Sequence, residues 1–238
     1  MLNKTLKRFY KQAAVAEGTG GFAVHLDGRG VKTPAGRKLE VPFQPLAVAM
    51  AAEWQEQGEE IKPKSMPMTQ LASTALDRIG PERATILEQL TRFADTDLLC
   101  YRADFPRDLV DRQTARWQPL LDWAAEALGA RLAVTAGVLA VPQPADALAA
   151  LHARLDTYDP WRLCAAQATC AAAGSLVLAL ALTEGRLDGE TAYELSQLDE
   201  TFQIEKWGED AEAADRRAAL RRDILSAERL LILTRVAP

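Results

Sequence analysis

The chain has 238 residues, 48% of them hydrophobic and 26% charged, and a formal net charge of −5. That balance allows a sizeable core in one large or two small domains, and the negative charge argues against nucleic acid as the main partner. Of the three cysteines, Cys164 and Cys170 stand six apart on one predicted helix and face different ways, so with Cys100 they form no disulfide framework and a reducing compartment is expected.

The first dozen residues carry Lys4, Lys7, Arg8 and Lys11 with no acid and no apolar segment after them, so no secretory signal is expected. Phe9–Ala16 reads as a strand, ended by Gly18-Thr19-Gly20-Gly21. Phe22–Leu26 follows, Asp27-Gly28 signals a hairpin, and Val31–Thr33 returns. Pro34-Ala35-Gly36 turns again and Lys38–Val41 completes an antiparallel meander. The glycines stand between strands and lack a Gly-Lys-Ser/Thr triplet, so they read as turn glycines and not as a phosphate loop. Pro45–Gln57 is a predicted helix ended by Gly58, with Leu46, Ala49, Met50 and Trp54 as its apolar side. The Lys62–Pro67 stretch has two prolines and no period. It is the expected linker between a domain over residues 1–66 and one over 67–238.

From Met68 the pattern is helical, with segments over Thr69–Ile79, Pro81–Ala94, Arg107–Leu128 and Asp146–Leu155. Leu98–Arg102 reads as strand or coil, and Val138–Val141 as extended. Further helices are expected over Trp161–Leu182, Asp188–Trp207 and about Ala211–Val236. The fold class is therefore α+β: a small N-terminal antiparallel sheet with a helix, then a larger all-helical domain. The second domain is organised around Trp161–Leu182, which opens with the N-cap Asp159 and Pro160 and carries no charge after Arg162. About 20 such residues would span a bilayer. Alanine dominates, however, Gln167, Thr169 and Ser175 interrupt, and no aromatic belt flanks the run. A helix buried all round is expected, with no membrane insertion.

The chemistry-bearing residues are sparse. His25 and His152 are the only imidazoles, and neither Cys-x-x-Cys nor His-Glu-x-x-His occurs, so no metal and no cofactor are expected. No Gly-x-Ser-x-Gly elbow occurs, and Cys100 reads as a buried structural thiol before it reads as a nucleophile. Asp95 and Asp97 could hold a hard cation or share a proton, but the favoured reading is a helix-end turn in which Asp97 caps the next segment of chain. On Asp188–Trp207, Ala192, Leu195, Leu198 and Phe202 share a core face, while Glu190, Glu194, Gln197, Thr201 and Glu205 share a solvated one. A third stripe holds Tyr193, Ser196, Glu200, Ile204 and Trp207. An apolar stripe centred on a carboxylate suits a partner-binding patch; equally, it suits a helix buried on two sides with Glu200 paired to an arginine. Arg216, Arg217, Arg221 and Arg222 read as a solvated helix face.

Several stretches together resemble the F1-ATP synthase assembly chaperones that hold the free alpha subunit: LDGRGVKTP (26–34), AAEWQEQ with Trp54, and IKPKSMPMTQLASTALDR (61–78), which includes Asp77 and Arg78. ADTDLLCYRAD (94–104), RQTARWQPLLDW (112–123) and LDETFQIEKWGED (198–210) continue the set. The resemblance implies a two-domain protein without catalytic activity or cofactor. It would bind the alpha subunit of F1-ATPase and shield the surface later covered by beta. It carries the acidic motif of the penultimate helix to Asp199 and Glu200, with Tyr193, Ile204 and Trp207 on the same patch, and makes Trp54 a family-typical residue. Eukaryotic members act in the mitochondrial matrix after a targeting extension; this chain shows none, so a monomeric, cytoplasmic bacterial member is expected. The competing readings are a small cytoplasmic enzyme using Asp95, Asp97 and Glu200, with a divalent ion, and an interaction module for another client. Whether those carboxylates converge in one concave pocket separates them.

Overall fold

The structure is a computed structural model that describes residues 6–136 and 141–235; the expected Val138–Val141 segment lies, up to residue 140, outside them. The fold class is the expected α+β. Two compact units divide the chain: Met1–Pro81 with Arg229–Pro238, and Glu82–Glu228. The division therefore falls between Pro81 and Glu82, later than the expected Lys62–Pro67 segment, and the C-terminal residues join the first unit.

The first unit is built on an antiparallel sheet. Strands β2 (Ala13–Gly18) and β3 (Gly21–Leu26) form a hairpin, with Ala13 opposite Leu26 and Gly18 opposite Gly21. On the other side of β3 lie β4 (Arg29–Gly30) and β5 (Glu40–Val41). A short pair, β1 (Leu6–Lys7) with β6 (Glu60–Ile61), stands apart. Helix α1 (Gln44–Gln55) starts with Pro45 in its first turn and covers the sheet with Leu46, Ala47 and Met50, all fully buried beside Val24 and Val41.

The reason the linker reading fails is Glu53 on α1. Its buried carboxylate accepts from Met68 N at 2.7 Å, Thr69 N at 2.8 Å and Thr69 Oγ1 at 2.8 Å. It thereby caps the start of α2 (Pro67–Thr74) and holds that helix to the sheet unit. Burial pushes the Glu53 carboxyl up, and the Thr69 and Met68 donors oppose that. The segment before α2 is also tied down, since Lys62 N donates to Gln57 Oε1 at 2.7 Å. A single wider, π-type turn over Ala75–Ile79 follows α2.

The β2–β3 turn needs glycine at one position. Gly21 has φ +137°, and a Cβ there would lie 2.3 Å from the Val41 carbonyl oxygen, which is backbone and cannot swing away. Gly21→Ala is expected to destabilise the protein by about 2–4 kcal/mol in chemical denaturation, from backbone strain plus the clash. Gly36 also has a positive φ, but its Cβ would meet open space, so Gly36→Ala should cost only about 1 kcal/mol. Equal effects at the two positions would contradict the steric argument.

The second unit is helical: α3 (Arg83–Phe93), α4 (Arg107–Ala127), α5 (Ala145–Asp156), α6 (Pro160–Ala173), α7 (Leu176–Thr183), α8 (Gly189–Ser196), α9 (Leu198–Trp207) and the greater part of α10 (Ala211–Leu233). A two-residue parallel pair, β7 (Tyr101–Arg102) with β8 (Thr135–Ala136), accompanies them. The expected single helix over Trp161–Leu182 is two. Gly174 takes a left-handed conformation at φ +66° and ends α6, and Ser175 then caps α7 by accepting from Leu178 N at 3.0 Å. The expected all-round burial holds for α7 alone, since α6 leaves Ala171 exposed and Gln167, Ala168 and Ala172 half-buried. Every residue of α7 is buried, against α3, α4, α6 and α8. No helix among the described residues is long and apolar enough to cross a membrane.

Asp97 holds that break. Its side chain is fully buried and accepts from Leu99 N at 3.0 Å, Ser175 Oγ at 2.8 Å and Val177 N at 3.0 Å. The favoured capping reading of Asp97 is therefore the one found. It caps the adjoining turn and α7, distant in sequence, at once. Burial pushes its carboxyl above the usual range, against the lowering effect of these donors. The three thiols are free and buried, and burial lifts Cys100 and Cys164 to about 12, so neither is an available nucleophile at neutral pH.

Candidate partner-binding surface

The expected helix over Asp188–Trp207 is interrupted. Asp188 caps α8 by accepting from Thr191 N at 2.7 Å, and at Gln197 the backbone leaves the helical region, with φ −107° and ψ 17°. A new start, α9, follows. Across the break the core face keeps its place: Ala192, Leu195, Leu198 and Phe202 are all buried. The third stripe does not survive as one surface. Ser196 is buried, with its hydroxyl donating to Tyr193 O at 2.7 Å. Tyr193 on α8 is separated by the break from Glu200, Ile204 and Trp207 on α9. Tyr193, Glu200 and Ile204 are half-buried, while Trp207 is 79% exposed.

Helix α9 lies along the first half of α4. Arg112 meets Glu205 with two parallel hydrogen bonds of 2.9 and 2.8 Å, and Lys206 Nζ meets Asp108 Oδ2 at 3.2 Å. Both cations also sit over the Phe202 ring, at 5.3 and 5.2 Å from its centre. Asp199 turns inward. It accepts from Gln113 Nε2 at 2.8 Å, and the buried Gln113 also accepts from Ala103 N at 2.8 Å through its side-chain oxygen. Burial raises the Asp199 carboxyl above its ordinary range, opposed by Gln113 and by the positive charge of Arg102. Arg102 donates to Leu99 O and Gln113 O and lies over the Trp117 ring, itself bonded to Leu195 O at 3.0 Å. Asp199 is thus part of the seam between α4 and α9. Glu200 faces outward, with Arg216 of α10 at 4.0 Å.

Phe105, two residues before α4, is 80% exposed, an aromatic that the sequence reading passed over. The Lys206–Asp108 pair ties the segment carrying Trp207 to the one carrying Phe105, so two exposed rings stand at one end of the α4–α9 pair among charged side chains. Exposed aromatics in a charged setting are the usual anchors of a protein interface. The signal for Phe105 was available in its local sequence, a large apolar residue between Asp104 and Pro106 in a polar turn.

Trp54, Asp77 and Arg78 belong to the first unit. The half-buried Trp54 ring meets Tyr10 edge-on at 5.9 Å, and the Trp54 carbonyl accepts from Tyr10 Oη at 2.6 Å. Asp77 accepts from Thr33 Oγ1 at 2.7 Å and Ala35 N at 2.9 Å, which fixes the turn before β5. Arg78 is exposed on the same π-type turn. The carboxylates of the enzyme reading do not converge: Asp97 is consumed as a cap, Asp95 is exposed on a turn and Glu200 stands on an outer helix face. Among the described residues no group of three or more His, Cys, Asp or Glu side chains could hold a metal ion.

Residues 7–125 match the family described as ATP12 chaperone protein. The crystal structure of Atp12 from Paracoccus denitrificans is 41% identical, with a TM-score of 0.89 over 97% of this chain and 99% of that one. The chain belongs to the ATP12 chaperone family. This is the assembly-chaperone family that the sequence stretches resemble. Among curated ATP12 relatives, mitochondrial atp12 of Schizosaccharomyces pombe is 29% identical over 89% of this chain and 77% of its own length. Mitochondrial ATP12 of Saccharomyces cerevisiae is 26% identical over 95% of this chain and 84% of its own. The likeness to the bacterial ATP12 structure runs through both units, including α8, α9 and α10, which lie beyond the matched family segment.

Proposed function

We propose that the chain binds the free alpha subunit of F1-ATPase and shields the surface later covered by beta. It acts as a monomer in the bacterial cytoplasm, without catalysis, cofactor or metal. The observation that carries this reading is the likeness to bacterial Atp12 along nearly the whole chain. A free subunit of an obligate complex exposes a large apolar interface and aggregates through it. A chaperone for such a client needs an exposed anchor surface that the true partner can displace. The outer face of α9, with Glu200, Ile204 and Trp207, is the proposed contact, joined by Tyr193 from α8, and Asp199 positions the helix. Phe105 extends the same surface.

Co-expression tests the reading: alpha made with this chain should stay soluble and co-purify with it. Alpha that remains insoluble would reject it. Nucleotide plays no part in the proposed mechanism, since no phosphate-cradling loop is present in the sequence. Calorimetric titration with ATP and magnesium should give no saturable heat; a micromolar binding isotherm would contradict the proposal.

A further inference from the structure

Two adjoining hollows run along α4 on its α8 side, all within the second unit. The first, about 500 Å³, is lined by Arg112, Arg116, Tyr193, Gln197 and Arg217 among others. The second, about 530 Å³, is lined by Arg116, Pro119, Arg186, Leu187 and Leu195 among others. Arg116 and Glu194 border both, and their ion pair at 3.3 Å crosses between them. Both partners of that pair are largely exposed, so it is a weak cross-bar that a bound chain can replace.

The charge of this trough is opposite to that of the chain. Four arginines line it against one lining carboxylate, Glu194, although the net charge of the chain is −5; Arg112 and Arg217 also pair with Glu205 and Glu209 beside the trough. Two of the arginines have unmet capacity. Arg186 stacks over the Trp123 ring at 5.7 Å and makes no ion pair among the described residues. Arg217 bonds Glu209 at 2.9 Å and Thr201 Oγ1 at 3.1 Å, yet its Nε is buried without a hydrogen-bond partner. Between the arginines the lining is mixed, with Leu120, Leu187, Leu195 and Leu198 beside Thr191, Gln197 and Thr201. Guanidinium groups pair with carboxylates through two parallel hydrogen bonds, and leucines take apolar side chains.

We propose that the α4–α8 trough binds an acidic, amphipathic segment of the client, leucine-type side chains down and carboxylates against Arg116, Arg186 and Arg217. This rests on the client-binding reading above. It asks for an anion on the client, whereas the Glu200 face asks for a cation, so the two contacts fix the orientation of the client.

The probe is a fluorescently labelled amphipathic peptide of glutamate and leucine, set beside a counterpart with lysine at every glutamate. Anisotropy titrations use the full chain and the double variant Arg116→Glu with Arg186→Glu. Both positions are exposed, and thermal melts check that the variant folds; Arg186→Ala serves as a milder second variant. The acidic peptide should bind saturably, weaken with added salt, and weaken at least tenfold in the double variant, while the lysine peptide should not bind. The double variant should also hold less alpha on co-expression. Absent binding, equal binding of both peptides, or binding insensitive to the substitutions would overturn the proposal. So would a variant that loses the peptide but still protects alpha fully. If the unmodified chain itself fails to protect alpha, the broader functional reading falls, and that result is visible without any variant.

Discussion

Asp97→Ala should unfold the second unit at far lower denaturant than the parent chain. Alanine removes the acceptor for Leu99 N, Ser175 Oγ and Val177 N, all at a fully buried position. Water does not easily replace a carboxylate there, and each stranded buried donor costs about 1–3 kcal/mol, with the loss of a helix cap about another 1 kcal/mol. The sum is at least about 4 kcal/mol, a large part of the ~5–15 kcal/mol that holds a typical domain together. Asp97→Asn keeps one acceptor oxygen and should lose less, because only its amide faces a competing N–H. A denaturation midpoint of Asp97→Ala close to the parent's would mean that the α6–α7 break does not depend on this side chain.

Glu200→Lys should leave stability almost untouched and abolish function. Among the described residues the one ion pair of Glu200, with Arg216, is 4.0 Å long, and the two side chains are 37% and 63% exposed. Such a pair contributes about 0–1 kcal/mol. Lysine is also a good helix former, so α9 should persist. At the proposed interface the same change replaces an acceptor by a like charge. Losing a contact that becomes desolvated on binding costs about 2–5 kcal/mol, a fall in affinity of roughly thirtyfold to several-thousandfold. The measurement pairs a thermal melt with the solubility of co-expressed alpha. A normal melt with unprotected alpha is the expected result. A collapsed melt would make Glu200 a structural residue, and full protection would move the contact elsewhere.

The sequence marked elements better than it marked their breaks. Asp27-Gly28 placed the hairpin, Pro45 and Asp159-Pro160 placed helix starts, and the 3.6-residue period placed the buried face of α8 and α9. Gly174-Ser175 was also legible, since a left-handed glycine followed by an N-capping serine is a stop and a start in succession. It was masked by the uniform apolarity around it. Gln197 carried no breaker chemistry; the tertiary fit of Asp199 against Gln113 and of Leu198 against the core decides that turn. The boundary was missed because Glu53 looks like one more surface glutamate of a helix end, whereas its caps on Met68 and Thr69 make the next helix part of the first unit. Of the surface, Glu200 and Trp207 were legible as members of an amphipathic stripe. Asp199 was assigned to the partner, and it faces α4; that orientation depends on a neighbour distant in sequence.

The make-up of the first unit also bears on how the protein is synthesised. Its sheet and first helices come from the start of the chain, yet Leu230 and Leu231, both buried, come from the stretch that begins at Arg229. A ribosome adds about 5–20 residues per second. The sheet unit must therefore wait, on the order of ten seconds at that rate, for its last apolar residues, while the intervening Glu82–Glu228 unit is made as one contiguous stretch. The nascent chain leaves the first unit unfinished until Leu230 and Leu231 have been made.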